Sequence, residues 1–223
     1  RQYLLELSES TGDSRRMWLG LVPEVRCAHL VRVGSAGDGG KWICNPFALP
    51  RNGVIYSLGS NNETSFEWEM RLLTQKKNCS ILTVDMNAPS PPAAAVLNRG
   101  GIEFRKGRID IFKDEESTTL NEIMLQQGHI FIDLIKMDIE RAEERVLPVF
   151  LRQNRPCHLL VEIHSRTTQA KQVRDIAEFG YYLVYFELNA IFPQKLSEYS
   201  FIHENCLERY GAEVITRYLP RHL

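Results

Sequence analysis

Three side chains in the second half of the sequence, Asp138, Glu140 and His164, are of types that take up or release a proton. FIDLIKMD (131–138) ends on Asp138 and CHLLVEIH (157–164) ends on His164, so both close apolar runs that read as buried strands. Imidazole titrates near neutrality, which makes His164 the best intrinsic base toward a hydroxyl, with Asp138 and Glu140 as carboxylate partners. Each has a structural alternative: a carboxylate before a helix is a common N-cap, and a histidine after a strand often only completes a hydrogen-bond network. Glu162, inside the same run as His164, is expected to satisfy neighbouring backbone. Glu143 and Glu144 with Arg141 and Arg145 are expected to form a solvated helix face. The five cysteines contain no Cys-x-x-Cys pair, so no structural zinc site is expected, and spacing shows no tight Asp/His ligand set, so no metal ligand is assigned and metal dependence stays open.

A second group has the chemistry of binding. IYSLGSNNETSF (55–66) is a strand-like run that stops at Gly59 and spills into Ser60, Asn61 and Asn62 before a helical pattern. Glycine lets backbone approach a ligand, and the unpaired N–H groups at the helix entrance suit a carboxylate or phosphate. Asp85 closes the next strand, SILTVD, where an acidic side chain accepts both hydroxyls of a ribose, so the expected ligand carries a nucleoside. A single glycine is not the G-x-G-x-x-G of a dinucleotide site. S-adenosylmethionine, which has a polar amino acid end and no pyrophosphate, fits this loop better.

These residues need a scaffold that puts strand ends side by side. From residue 53 short β-branched runs alternate with longer amphipathic stretches: VIYSL (54–58), a helix over 65–76, SILTVD (80–85), a helix over 88–100 opened by proline and closed by glycine, and a weaker strand in IEFRKGRI. A helix opened by Thr118 or Thr119, the FIDLIKMD strand, a helix containing Pro148, the CHLLVEIH strand, a helix ending at Gly180 and two last strands complete the series. Alternation of this kind predicts right-handed crossovers and an α/β, Rossmann-like, doubly wound, mostly parallel seven-stranded sheet. Residues 1–52 read as an N-terminal helical cap followed by a hairpin around the glycine-rich SAGDGG turn, and 53–223 as the core, all one domain. The tryptophans at 18, 42 and 68 are assigned to packing.

With 27 basic and 28 acidic residues the net charge is −1, so no global field draws the chain to nucleic acid or anionic lipid, and no such partner is expected. No apolar run is long enough to span a bilayer, and the first thirty residues lack the order of a signal peptide. The chain begins at Arg1, consistent with a trimmed product whose address has been removed. An odd cysteine count leaves at least one thiol free, and Cys27 and Cys44 flank the hairpin turn closely enough to bridge in an oxidising compartment. Asn62-Glu-Thr and Asn78-Cys-Ser are glycosylation sequons, and a glycan on Asn62 would block a cofactor pocket that this residue lined.

DLIKMDIERAEERVL (133–147) closely resembles the IKxDIEGxE signature of FkbM-type S-adenosylmethionine-dependent methyltransferases. In order, VRVGSAGDGGKWIC, IYSLGSNNETSFE, LTVDMN, LVEIH and YSFIHENCLERYG are similar to blocks of the allied methyltransferase-like family of animals, a resemblance spanning residues 27–212. It implies that Gly59 to Asn62 line the methionine end of S-adenosylmethionine and that Asp85 meets its ribose. Asp38 and Gly39 would close over the same pocket, and Asp138 and Glu140 would face the reacting methyl group. Arg141 stands where the motif has glycine. The expected activity is O-methylation of a hydroxyl on a small-molecule or glycan-like acceptor, with specificity set by residues 1–26, the 107–118 loop and the stretch after 186. The resemblance leans toward the lumen of the secretory pathway. Two alternatives stay open: a non-catalytic binding module that keeps the fold, and a nicotinamide-dependent oxidoreductase.

Overall fold

The computed structural model describes residues 1–189 and 196–220. Helices α1 (Gln2–Thr11) and α2 (Ser14–Gly20) lead in, followed by β1 (Val25–Cys27) and the antiparallel hairpin β2 (Leu30–Val33) and β3 (Lys41–Cys44). Then come β4 (Val54–Leu58), α3 (Ser65–Thr74), β5 (Ser80–Asp85), α4 (Pro91–Gly100) and β6 (Glu103–Lys106). Two short strands, β7 (Arg108–Ile109) and β8 (Ser117–Thr118), pair with each other ahead of α5 (Leu120–Gln127). The chain continues through β9 (Leu134–Met137), α6 (Glu143–Leu151), β10 (His158–Ile163), α7 (Gln169–Glu178), β11 (Tyr181–Leu188), β12 (Ser197–His203), α8 (Leu207–Tyr210) and β13 (Ala212–Val214).

Local chemistry accounts for many of these boundaries. Thr119 caps α5 by accepting from the Glu122 N–H, and α4 begins on two prolines and ends against Gly101 in the left-handed conformation. Pro148 lies inside α6, where its missing N–H removes the bond to the Glu144 carbonyl, and the helix stops three residues later.

Seven strands form one sheet in the order β11-β12-β10-β9-β4-β5-β6. The five from β10 to β6 run parallel, and β12 is antiparallel to both of its neighbours. This is the doubly wound, mostly parallel sheet that the alternation predicts. Adjacent residues along each strand feed opposite faces, as the pleat requires. Tyr56, Leu82, Ile135 and Leu159 pack against α5, α6 and α7, while Ile55, Ile81, Leu134 and Leu160 pack against α3, α4 and the hairpin.

The lead-in is stitched to the core by a buried acid. The Glu24 carboxylate accepts the backbone N–H groups of Leu183, Tyr218 and Leu219, tying the N-terminal segment and the stretch after β13 to β11. Cys27–Cys44 and Cys157–Cys206 are disulfides, and Cys79 is a free buried thiol. The first bridge is the one that the hairpin suggests; the second joins the entry to β10 with the turn before α8 and has no signal in the sequence spacing. Among the described residues no helix is long and apolar enough to cross a membrane.

Candidate active site

Strand order reverses between β4 and β9: successive strands run outward through β5 and β6 on one side and through β10 on the other. The carboxyl ends of strands at such a switch point diverge and leave a crevice. Here the ends are locked together by two backbone bonds and one buried side chain. Gly59 donates to the Val84 carbonyl at 2.8 Å, Asp138 donates to the Leu58 carbonyl at 2.9 Å, and the buried Lys136 ammonium donates to the Gly59 carbonyl at 3.0 Å.

Gly59 has φ 76°, and a Cβ built on it would stand 1.6 Å from the Asp138 carbonyl oxygen. The close neighbour that demands glycine is therefore the end of β9, a packing reason that the sequence reading does not give. Asn61 and Asn62 follow at φ 45° and 67°. Asparagine is among the few side-chain-bearing residues that visit this region routinely, which explains the amide run after the glycine. The Asn61 N–H donates to Asp85 Oδ2 and the Asn87 N–H to Asp85 Oδ1, both at 2.8 Å, so Asp85 also pins two rim loops.

A cleft of about 560 Å³ opens over these strand ends. Asp38 and Gly39 line it from the hairpin turn, Gly59, Ser60 and Asn61 from the end of β4, and Asp85 from β5. Asp138 and Glu140 line it after β9 and His164 after β10, so Asp38 and His164, far apart in sequence, share one space. Asn62 is the exception. It is exposed, outside the cleft lining, and its Oδ1 accepts the Ser90 N–H at 2.6 Å, because the second left-handed residue turns its side chain toward α4. Of the expected specificity segments, Gly107, Arg108 and Ile109 contribute to the wall, as do Asn189 and Leu196 beyond residue 186; residues 190–195 lie outside the described residues.

The floor holds a dense set of charges. The Lys41 ammonium donates to Glu198 Oε1 at 2.6 Å and stands 4.0 Å from Asp138 Oδ2. Burial opposes its charge, but Glu198 and Asp138 outweigh burial and raise its pKa. Glu162 lines the cleft and accepts from the Asn189 amide at 2.9 Å; burial, with Glu198 and Asp138 as like-charged neighbours, pushes its pKa up to about 8. Glu162 thus serves a side chain rather than the backbone expected of it. Burial also pulls down the His164 pKa, yet Glu143 and the nearby acids overcome it and lift the value to about 9.

Glu143 is the main correction to the sequence reading. Instead of joining a solvated face it is 1% exposed, and its Oε1 faces both the backbone N–H and Nδ1 of His164 at 2.9 Å. The signal was present: Glu143 lies at i, with Val146, Leu147 and Phe150 at i+3, i+4 and i+7, the buried stripe of α6. Arg141, Glu144 and Arg145 stay exposed as expected, with Arg145 reaching the buried Asp110 at 3.0 Å. The buried Lys41, Lys136 and Glu198 carry no local signal at all.

Glu140 and Arg141 sit consecutively in the left-handed region, at φ 53° and 76°. The position that carries glycine in the resembling motif is thus one whose backbone favours glycine, and Arg141 occupies it under strain. We expect Arg141→Gly to raise the unfolding midpoint by roughly 1–4 °C, since relief of about 1–2 kcal/mol of left-handed strain exceeds the added unfolded-state entropy. Calorimetric scans of the two proteins check this, and an equal or lower midpoint in the variant would refute it.

The profile of a methyltransferase domain family matches residues 8–203. The chain belongs to that family. No curated protein matches the chain significantly. Among solved structures, precorrin-6y C5,15-methyltransferase from Geobacter metallireducens is similar at 12% identity and TM-score 0.46, covering 71% of this chain and 84% of that one. A fibrillarin pre-rRNA processing protein of Methanococcus jannaschii is similar at 13% identity and TM-score 0.45, over 71% and 69%. Aeropyrum pernix fibrillarin, in complex with natively bound S-adenosyl-L-methionine, is similar at 11% identity and TM-score 0.40, over 79% and 84%. In the methyltransferase domain described here, the family match spans every strand end that lines the cleft.

Proposed function

We propose that this methyltransferase domain uses S-adenosylmethionine, held across the ends of β4, β5 and β9, to methylate a hydroxyl of a small or glycan-like acceptor. The observation that carries the reading is the donor set of the cleft. Asp38, Glu63, Asp85, Asp138 and Glu140 all line it, which suits a ligand bearing a sulfonium and an ammonium and repels a pyrophosphate. That repulsion disfavours the nicotinamide reading, and it disfavours a polyanionic acceptor such as nucleic acid. Each Asp85 oxygen accepts one loop N–H and keeps a lone pair for a ribose hydroxyl. Val84, Met86, Ile109 and Ile139 give the same cleft an apolar wall for a base.

When bound, the cofactor supplies an electrophilic methyl group on sulfur. The chain's own part is to align the acceptor, exclude water, and receive the proton or charge that the hydroxyl gives up at Asp138, Glu140 and His164. The FkbM-type assignment belongs to this proposal and rests on the 133–147 block and the ordered blocks around it. So does a secretory-pathway address, which two disulfides support. A glycan on Asn62 is compatible with it, because that side chain stands outside the cleft.

Calorimetric titration with S-adenosylhomocysteine tests the reading. Saturable binding is expected, weakened about 10- to 100-fold in Asp85→Asn, which corresponds to about 1.4–2.8 kcal/mol. Folded wild-type protein that binds no S-adenosylhomocysteine would remove the cofactor assignment, and binding without turnover on any hydroxyl acceptor would favour the non-catalytic module.

A further inference from the structure

Asp138, Glu140 and His164 each present a ligand atom, and these atoms lie within 4.8 Å of one another. The His164 Nε2 stands 3.4 Å from Asp138 Oδ1, 3.7 Å from Glu140 Oε2 and 3.8 Å from Glu162 Oε2. Among the described residues it makes no hydrogen bond to any of them. Donors that share an ion at about 2.1–2.2 Å stand about 3.0 Å apart when adjacent and about 4.3 Å apart when opposite, so these separations are those of a common ligand sphere.

We propose that Asp138, Glu140 and His164 hold a divalent cation at the mouth of the cleft, and that the acceptor oxygen occupies one of its remaining positions. The role of the acceptor rests on the methyltransferase reading; the cation site does not.

The imidazole carries the argument beyond a mere concentration of acids. Its side chain is 6% exposed, and Glu143 Oε1 accepts from Nδ1 at 2.9 Å while also accepting the His164 backbone N–H. A buried carboxylate on one ring nitrogen fixes the ring, places the proton on Nδ1 and turns the Nε2 lone pair outward, which is how metal-bound imidazoles are usually held. Here Nε2 is turned into the carboxylates. The cluster is also short of positive charge: the buried Glu198 Oε2 has no partner, and a Glu198 oxygen lies within 4.8 Å of oxygens of Asp38, Asp138 and Glu162. Lys41 is already engaged with Glu198 Oε1.

One imidazole and two carboxylates form a mixed donor set. Oxygen donors alone would suit Mg²⁺ or Ca²⁺, whereas an added ring nitrogen favours a first-row ion such as Mn²⁺ or Zn²⁺. With the lone pairs of Asp138, Glu140 and His164 occupied, such an ion would replace direct proton transfer to them: it would withdraw the negative charge that develops on the acceptor oxygen as its proton leaves to water, lowering the pKa of the hydroxyl. The competing arrangement is an imidazolium that balances the carboxylates by itself.

Titration of the intact protein with Mn²⁺, in the absence of cofactor and followed by the electron paramagnetic resonance of the free ion, separates the two. One saturable equivalent is expected, displaced by Zn²⁺ far more readily than by Mg²⁺. Pulsed spectra of the bound ion should show nitrogen coupling that His164→Gln abolishes. Glu140 is 74% exposed on its side chain, so Glu140→Gln tests affinity without endangering the fold; a loss of at least about tenfold is expected, while Glu144→Gln leaves binding unchanged. Absence of saturable binding, or affinity equal to wild type in folded Glu140→Gln and His164→Gln, would overturn the site. S-adenosylhomocysteine calorimetry on the same preparation keeps the two readings apart. A protein that binds S-adenosylhomocysteine but takes up no Mn²⁺ sinks the cation and spares the methyltransferase, and one that takes up Mn²⁺ but binds no S-adenosylhomocysteine sustains the site while removing the acceptor from it.

Discussion

Reduction of both disulfides should lower the midpoint of thermal unfolding by roughly 15–25 °C, the largest stability change anticipated for this chain. Cys27–Cys44 closes a separation of 17 residues and Cys157–Cys206 one of 49. In the chain-entropy description, freeing loops of these lengths returns about 3 and about 4 kcal/mol to the unfolded state. Their sum of about 7 kcal/mol is comparable to the whole stability of an ordinary domain, and for a chain of this size each kcal/mol moves the midpoint by about 2–4 °C. Calorimetric scans with and without a phosphine reductant measure the shift. The paired variant Cys157→Ala/Cys206→Ala should lose more than Cys27→Ala/Cys44→Ala, because the longer loop gains more freedom. A shift below about 5 °C on full reduction, verified by thiol counting, would show that these bridges constrain the unfolded chain far less than their separations imply.

Gly59→Ala should abolish measurable S-adenosylhomocysteine binding, weakening it more than about 100-fold, and destabilise the fold by about 3 kcal/mol or more. The added methyl would stand 1.6 Å from the Asp138 carbonyl oxygen and 2.7 Å from its carbon. Both obstacles are backbone, so no side chain can swing aside. The ends of β4 and β9 would have to part, breaking the Asp138 bond to Leu58 and the Lys136 bond to Gly59 on which the rim depends. The left-handed φ of 76° adds strain for any residue with a Cβ. Calorimetry with S-adenosylhomocysteine and a denaturant titration report the two effects separately. A variant that binds like wild type would mean that the rim yields without loss, and the geometry argued for the switch point would fall with it.

Much of the rim could be read from local patterns. Parallel strands end on the same side of a sheet, so Gly59, Asp85, Asp138 and His164 could be grouped simply because each closes a strand-like run. Helix boundaries such as Thr119 before α5 and Gly101 after α4 follow from backbone N–H and C=O groups that residues within a few positions satisfy. At Glu143 the neighbouring charges point to solvent and the apolar stripe of α6 points inward, and the buried carboxylate obeys the stripe.

Other features depend on contacts that no local pattern encodes. The carboxylate of Glu198 meets Lys41 across 157 residues, and Cys157 meets Cys206 across 49. Asn62 and Asn61 are identical and adjacent, yet one borders the cleft and the other faces α4, a difference set by successive left-handed turns. Residue types and the 2.0 and 3.6 periodicities thus established the strands, the helices and the rim to which their ends contribute. The distances between charges on that rim, and hence whether they pair, protonate or share an ion, arise only once the crossovers have closed, because Coulomb and coordination energies depend on separations of a few ångströms.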